Sequence, residues 1–241
     1  MESFVYESIK ISEKNDWWYR GLRKIIFQLI KKYHPITNGR LLDVGCGTGY
    51  LLKTLEKKWN VYGIDTSLKA VKMAKSKRLK NIHLASIERL PFKNDYFDVI
   101  LILDVIEHVQ DDRLALSEVY RVLKPGGIAI FNTPAFKFLW SYHDISAKHI
   151  RRYTVKNLVK KLQNENFLIL KISYINCLLF PIAFIHRLLT KIFPPNRLAT
   201  DIGSVPDFLN EIFYRVFAWE GFFLERFDLP LGLSVSAVVT K

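Results

Sequence analysis

Leu41-Leu42-Asp43-Val44-Gly45-Cys46-Gly47-Thr48-Gly49 sets three glycines at alternate positions behind a short apolar run. The run reads as a buried parallel strand, and Tyr50-Leu51-Leu52-Lys53 as the start of the helix that follows. Glycines at such a turn let backbone approach a ligand where a Cβ would clash. Sixteen residues beyond Gly49, Val61-Tyr62-Gly63-Ile64-Asp65 is a second apolar strand ending in a carboxylate. An acid at the tip of the second strand of a βαβ unit is placed to bind a ribose diol. The spacing excludes a dinucleotide fingerprint, G-x-G-x-x-G, whose third glycine would fall at Tyr50.

Outward from this loop the pattern repeats. Apolar runs predict strands at residues 40–44, 61–65, 82–85, 97–103, 127–132, 167–172 and 233–240. Leu22, Ile25, Ile26, Leu29 and Ile30 recur at helical spacing and predict a helix over 16–33. A second helix is expected over 112–123, N-capped by Asp111 or Asp112, and Thr154 caps a third whose Val155, Leu158, Val159 and Leu162 share a face. Strands alternating with helices imply an α/β fold, a mostly parallel sheet covered on both faces. The expected organisation is a helical N-terminal lid (1–39), a sheet domain (40–173), a helical cap (174–227) and a last strand (228–241), one domain overall. The cap holds two apolar helices, 178–193 and 205–224, joined through Phe193-Pro194-Pro195.

With 241 residues, 49% of them hydrophobic, the chain can bury a substantial core. Its two cysteines, Cys46 and Cys177, imply no disulfide framework, and the N-terminal residues lack a secretory signal, so a cytoplasmic setting is expected. The longest apolar run, 177–185, is too short to span a bilayer. The net charge of +13 asks for an anionic neighbour. Between Asp65 and Glu88, and again between Asp144 and Glu165, every charged residue is basic. The first run reads as a solvated helix face; the second adjoins the expected substrate side.

The Asp-x-Gly-x-Gly-x-Gly loop with Asp65 resembles the first motifs of class I S-adenosylmethionine-dependent methyltransferases, similar to quinone-precursor O-methyltransferases and to those encoded among glycan and lipid enzymes. The resemblance covers residues 41–136 firmly and the rest loosely. It implies a Rossmann-like, seven-stranded sheet with S-adenosylmethionine at the carboxyl ends of the first four strands. Asp43 would orient its methionine end, Gly45, Cys46, Gly47 and Gly49 would hug it, and Asp65, followed by Thr66, would take the ribose. Ser86 stands where the family has an acid for the adenine amino group, with Ile87 as an apolar wall, and Leu103 would line the methionine side.

Asp104-Val105-Ile106-Glu107-His108 resembles a Glu-x-x-Glu-His motif that holds a divalent cation in some relatives, with His143 and His149 able to complete the set. A divalent cation here stays an open, less favoured alternative; His108, His143 or His149 is the expected base that removes the acceptor proton. The string 142–154 resembles a segment beside the active site in glycan- and lipid-cluster relatives, which assigns Arg151, Arg152 and Tyr153 to substrate positioning. Trp17, Trp18 and Tyr19 are expected to form an aromatic lid. The implied reaction is O-methylation of a small, glycan or lipid-linked acceptor. The rivals are an RNA methyltransferase, disfavoured for want of an RNA-binding module, and a non-catalytic cofactor-binding protein at a membrane surface. The cap helix 178–193 and the basic charge make peripheral contact with anionic membrane part of the expectation.

Overall fold

The computed structural model describes residues 12–192 and 205–241, with side chains to residue 189 in the first stretch. Among them a seven-stranded sheet runs β3-β2-β1-β4-β5-β7-β6. β1 (Arg40–Val44), β2 (Asn60–Asp65), β3 (Asn81–Leu84), β4 (Phe97–Leu103) and β5 (Leu123–Pro134) are parallel. β7 (Ser234–Thr240) is antiparallel to both its neighbours, β5 and β6 (Leu168–Ile175). The chain winds outward from β1 to β3, then returns to lay β4 on the other side of β1, with Leu41 facing both Val61 and Val99. That reversal opens a crevice at the carboxyl ends of β1 and β4.

Alternation along each strand feeds two cores. Leu42, Val44, Ile100, Ile102, Ala129 and Phe131 point to one face, where α4 (Asp112–Val122) and α6 (Val155–Asn164) add Leu116, Val119, Leu158 and Leu162. Leu41, Val99, Leu101, Ile128 and Ile130 point to the other. There α1 (Trp17–Tyr33), α2 (Tyr50–Leu55), α3 (Leu68–Ser76) and α8 (Asp207–Leu224) supply Ile25, Leu52, Val71 and Phe217. Asp16 caps α1 by accepting from the Trp18 N–H at 2.9 Å, and Thr154 caps α6 by accepting from Asn157 N–H at 3.2 Å.

The two expected cap helices have different roles. α8 lies against α1, so closely that a Cβ on Gly21 would run into the Phe217 ring, and its Phe217 and Leu224 belong to the core beneath the sheet. The buried Glu220 carboxylate accepts from the backbone N–H groups of Asn176, Cys177 and Leu178, fastening α8 to the exit of β6. α7 (Phe180–Ile192) instead stands at the rim, resting Phe180 on Leu139 and Leu233. The expected Phe193-Pro194-Pro195 junction lies outside the described residues.

Candidate functional site

β1 ends in the glycine loop, pinned to β2 because the Ile64 carbonyl accepts from both Gly45 and Cys46 N–H at 2.9 Å. Gly49 has φ +78°, and a Cβ there would meet Leu79 and Ala74 at 2.7 and 2.9 Å, so the turn into α2 requires glycine. Gly47 also has positive φ, +53°, but a Cβ on it would meet nothing within 4 Å. Its vacant side is the open floor of the crevice. Asp65 holds the loop beside that floor, accepting from Gly47 N–H at 3.0 Å and from Ser67 N–H at 2.8 Å. Cys46 lends only backbone to the loop: its thiol turns inward towards Gly63, and burial pushes its pKa up.

Asp43, buried at the end of β1, is pushed up to about 8 by desolvation first and by the Asp65 charge second. The cofactor-free protein therefore keeps a proton on Asp43 that the unfolded chain has lost between pH 3.8 and about 8. Stability falls as pH rises through that window, because the native state binds the extra proton. Asp104, pushed up to about 6 by burial, adds the same sign lower down. Thermal unfolding of the free protein is expected at a lower Tm at pH 8.5 than at pH 6. An equal or higher Tm at pH 8.5 would show that Asp43 is ionised at neutrality.

The rest of the glycine-loop side has a composition the sequence did not disclose. Lys77, one of the cations read as a solvated face, donates to the Thr48 carbonyl at 2.8 Å and to Glu13 at 3.0 Å. Thr48 donates to the same Glu13, so the segment before α1 is tied to the glycine loop itself. Ser86, beyond β3, donates to Glu88 at 3.1 Å, so a carboxylate stands beside the position where the family's acid is missing. Ile87 is core, Leu103 is half-buried at the end of β4, and Thr66 is exposed next to Asp65.

Across the crevice lies a titratable cluster. Asp104 takes a left-handed φ of +54° and accepts from the Asn132 amide at 2.8 Å. Glu107 is fully buried; desolvation, then Asp104, push its pKa well up, and it accepts from Thr133 at 3.1 Å. Its other oxygen, Oε1, makes no hydrogen bond. His108 is pushed down to about 4 by burial and by His149, so it is neutral at physiological pH. The His149 ring centroid lies 4.8 Å from that of His108 and 5.7 Å from that of His143. Glu107, His108 and His149 each offer an atom within 4.8 Å of the others, a donor set able to hold a divalent cation once Glu107 loses its proton.

α5 (Tyr142–Ala147) supplies the hub of this side, Asp144. Its buried carboxylate meets His149 Nδ1 at 2.8 Å, Arg152 Nε at 2.7 Å and Nη2 at 2.9 Å, and Ser141 N–H at 2.8 Å. Those donors hold its pKa well below the usual carboxylate range despite burial. Bonding through Nδ1 leaves His149 Nε2 on the ring's far side.

Several expected substrate residues are committed elsewhere. Arg152 is spent on Asp144, Arg151 pairs with Asp112 at 2.7 Å, and buried Tyr153 donates to Asp112 at 2.9 Å. These are ties that fold the loop: two guanidiniums pair with Asp112 and Asp144, and the Tyr153 hydroxyl donates to Asp112. Trp17 and Trp18 are likewise packing residues: Trp18 stacks on Phe217 at 5.2 Å and Trp17 sets its edge to Phe213 at 5.6 Å. Tyr19 alone of the three turns to the crevice, where burial and then Asp104 raise its hydroxyl pKa.

Fold and loop together define a Rossmann-like class I methyltransferase architecture. Residues 42–131 match the family model described as a methyltransferase domain. It is 38% identical over 157 residues to an uncharacterized protein of Methanocaldococcus jannaschii, the match covering 63% of this chain and 59% of that one. It is 37% identical to the ubiquinone/menaquinone biosynthesis C-methyltransferase of Geotalea daltonii (47% of this chain, 55% of the relative). It is 32% identical to the ubiquinone biosynthesis O-methyltransferase of Hydrogenovibrio crunogenus (49% and 56%). The chain thus spans little more than half the length of these relatives. A solved S-adenosylmethionine-dependent methyltransferase of Thermotoga maritima superimposes with a TM-score of 0.60 at 18% identity, covering 98% of this chain and 95% of that one. The [4+2]-cyclase SpnF also superimposes, with a TM-score of 0.58 at 19% identity over 90% of this chain and 81% of its own. Fold alone therefore does not carry the activity.

Proposed function

We propose that the chain transfers a methyl group from S-adenosylmethionine to an oxygen of a small acceptor, of the quinol, glycan or lipid-linked kind. The observation that carries this reading is the open side of Gly47 between two buried carboxylates, Asp43 and Asp65, at the switch in strand order. Such a floor suits a nucleoside whose ribose needs a paired acceptor and whose methionine end is cationic. Asp65 keeps lone pairs for the ribose beyond its two backbone bonds, Asp43 faces the methionine end, and Glu88 is available for the adenine edge in place of the missing acid. Once bound, the cofactor supplies a methyl group that is already activated, so holding the acceptor in line provides most of the acceleration.

The proton is the protein's task. His149 is the base in this reading, because Asp144 fixes its Nδ1, which leaves Nε2 free of that bond, and its ring adjoins Glu107 and His108. His108 is too weak a base for the role. Glu107 and Tyr19, both with raised pKa values beside Asp104, orient the acceptor hydroxyl in this reading. The relatives named for quinone methylation support a small-molecule acceptor over RNA.

Calorimetry with S-adenosylmethionine, S-adenosylhomocysteine and NAD tests the cofactor half: micromolar binding of the first two and none of the third is expected. Binding of NAD alone would sink the reading. For the acceptor half, labelled methyl transfer to a panel of catechols and demethylated quinols, with and without Mg²⁺, identifies a substrate. His149→Gln is then expected to lower kcat by about 10²–10³-fold with S-adenosylhomocysteine affinity unchanged. An unaltered kcat would remove His149 from the mechanism.

A further inference from the structure

α7 is the element that neither the sheet nor the proposed chemistry explains. Among its described side chains, Phe180, Ala183 and Arg187 turn towards the protein, against Leu139 and its neighbours. Ile182, Phe184, Ile185, Leu188 and Leu189 are each 38–56% exposed. With about 100° between successive residues, these five cover an unbroken arc of roughly 160° on the side away from the protein. A helix at a protein surface normally shows water a broad polar face; the outward arc of this one is apolar, with His186 exposed at its edge. Phe138, 54% exposed on the adjoining turn, sets its ring edge to Phe184 and extends the apolar surface.

The charges that flank it in the sequence have one sign. Residues 176–200 contain no aspartate or glutamate but carry Arg187, Lys191 and Arg197, and Lys137 is exposed beside Phe138. We propose that α7 and the Phe138 turn dock on an anionic lipid bilayer, the helix lying in the headgroup boundary with its apolar arc facing the acyl chains. Charge selects this occupant: a second copy of the chain would bring the same cations together, whereas acidic headgroups neutralise them. Length sets the orientation. Thirteen residues rise about 20 Å, well short of a hydrocarbon core, so the helix lies on the membrane, and no described helix is long and apolar enough to cross one. Leu139 and Leu233, on which α7 rests, adjoin the carboxyl end of β5 and the start of β7, so the docked surface borders the crevice side of the sheet.

The docking stands independently of methyl transfer. Its test is co-sedimentation of the intact protein with phosphatidylcholine vesicles, with and without roughly one-third phosphatidylglycerol. The wild-type protein is expected to pellet with the anionic vesicles and to lose at least about tenfold in binding on neutral ones. The Ile185→Glu/Leu188→Glu variant, changed only at exposed positions, is expected to lose at least about tenfold on the anionic vesicles while its Tm and S-adenosylhomocysteine affinity stay unchanged. Wild-type protein left in the supernatant, or a variant that pellets equally well, would overturn the proposal. So would a wild-type dimer, blind to vesicles, that the double variant converts to monomer, since a second copy would then cover α7. The calorimetric readout keeps a failure here separate from a failure of the methyl-transfer reading.

Discussion

Asp144→Ala is expected to destabilise the protein by about 3–5 kcal/mol, more than any other single change at the site. The reason is what the substitution strands. Arg152 is 1% exposed and would keep only its bond to the Ala135 carbonyl, leaving a buried guanidinium without a counter-charge. His149 Nδ1 and Ser141 N–H would lose their acceptor in the same step. Breaking a buried pair from one side costs far more than the pair's net worth, because the survivor's desolvation is no longer offset. Urea unfolding measures the loss, with Asp144→Asn expected to fall between alanine and wild type because it retains one acceptor oxygen. A loss below about 1 kcal/mol for alanine, the range of exposed pairs, would mean that water reaches Arg152 and that the loop is not closed as described.

Asp65→Ala is expected to weaken S-adenosylhomocysteine binding by at least about 100-fold, near 2.7 kcal/mol. Two effects combine in that figure. The ribose loses a charged acceptor, and the loop loses the carboxylate that holds Gly47 N–H at 3.0 Å and Ser67 N–H at 2.8 Å. Asp65→Asn separates them, since it can still accept from Gly47 but carries no charge. An intermediate loss is expected for it, with circular dichroism unchanged in both variants. Affinity unaltered in either would place the nucleoside somewhere other than this crevice.

The sequence was most legible where structure is local. β1 and β4 run over residues 40–44 and 97–103 as expected, since central parallel strands are buried on both faces and appear as unbroken apolar runs. The glycine loop was legible for a related reason: a positive φ can be met cheaply only by glycine, so the backbone path shows in the residue type. β5 begins four residues earlier than expected, at Leu123, because its pairing with β4 continues past Lys124-Pro125-Gly126-Gly127, a string that reads as a turn.

What escaped the sequence are contacts between distant residues. Nothing near Lys77 announces that it reaches Thr48 and Glu13, and nothing near Arg151 and Arg152 separates an acceptor-binding cation from one consumed by Asp112 and Asp144. The Trp17-Trp18-Tyr19 triplet shows the same limit. Which aromatic faces the crevice depends on α8, about 190 residues later in the chain, and Phe213 and Phe217 claim the two tryptophans. The histidines were visible as a set, but only the position of Asp144 singles out His149.

The single antiparallel strand divides the molecule into halves that can change at different rates. Everything on the β1–β4 side, glycine loop and Asp65 included, lies within or beside the stretch that matches the family model, residues 42–131. That stretch stops inside β5, just before the sheet turns antiparallel. Because β6 runs with the parallel strands, its carboxyl end and the start of β7 meet at the crevice. The 58-residue connection between them, 176–233, carries both α8, packed against α1 in the core, and α7 at the rim, where length, apolar surface and charge can vary without touching the glycine loop. The sheet thus joins a glycine-loop side that the family model matches to a connection that it does not, and the exposed apolar arc of α7 belongs to the second.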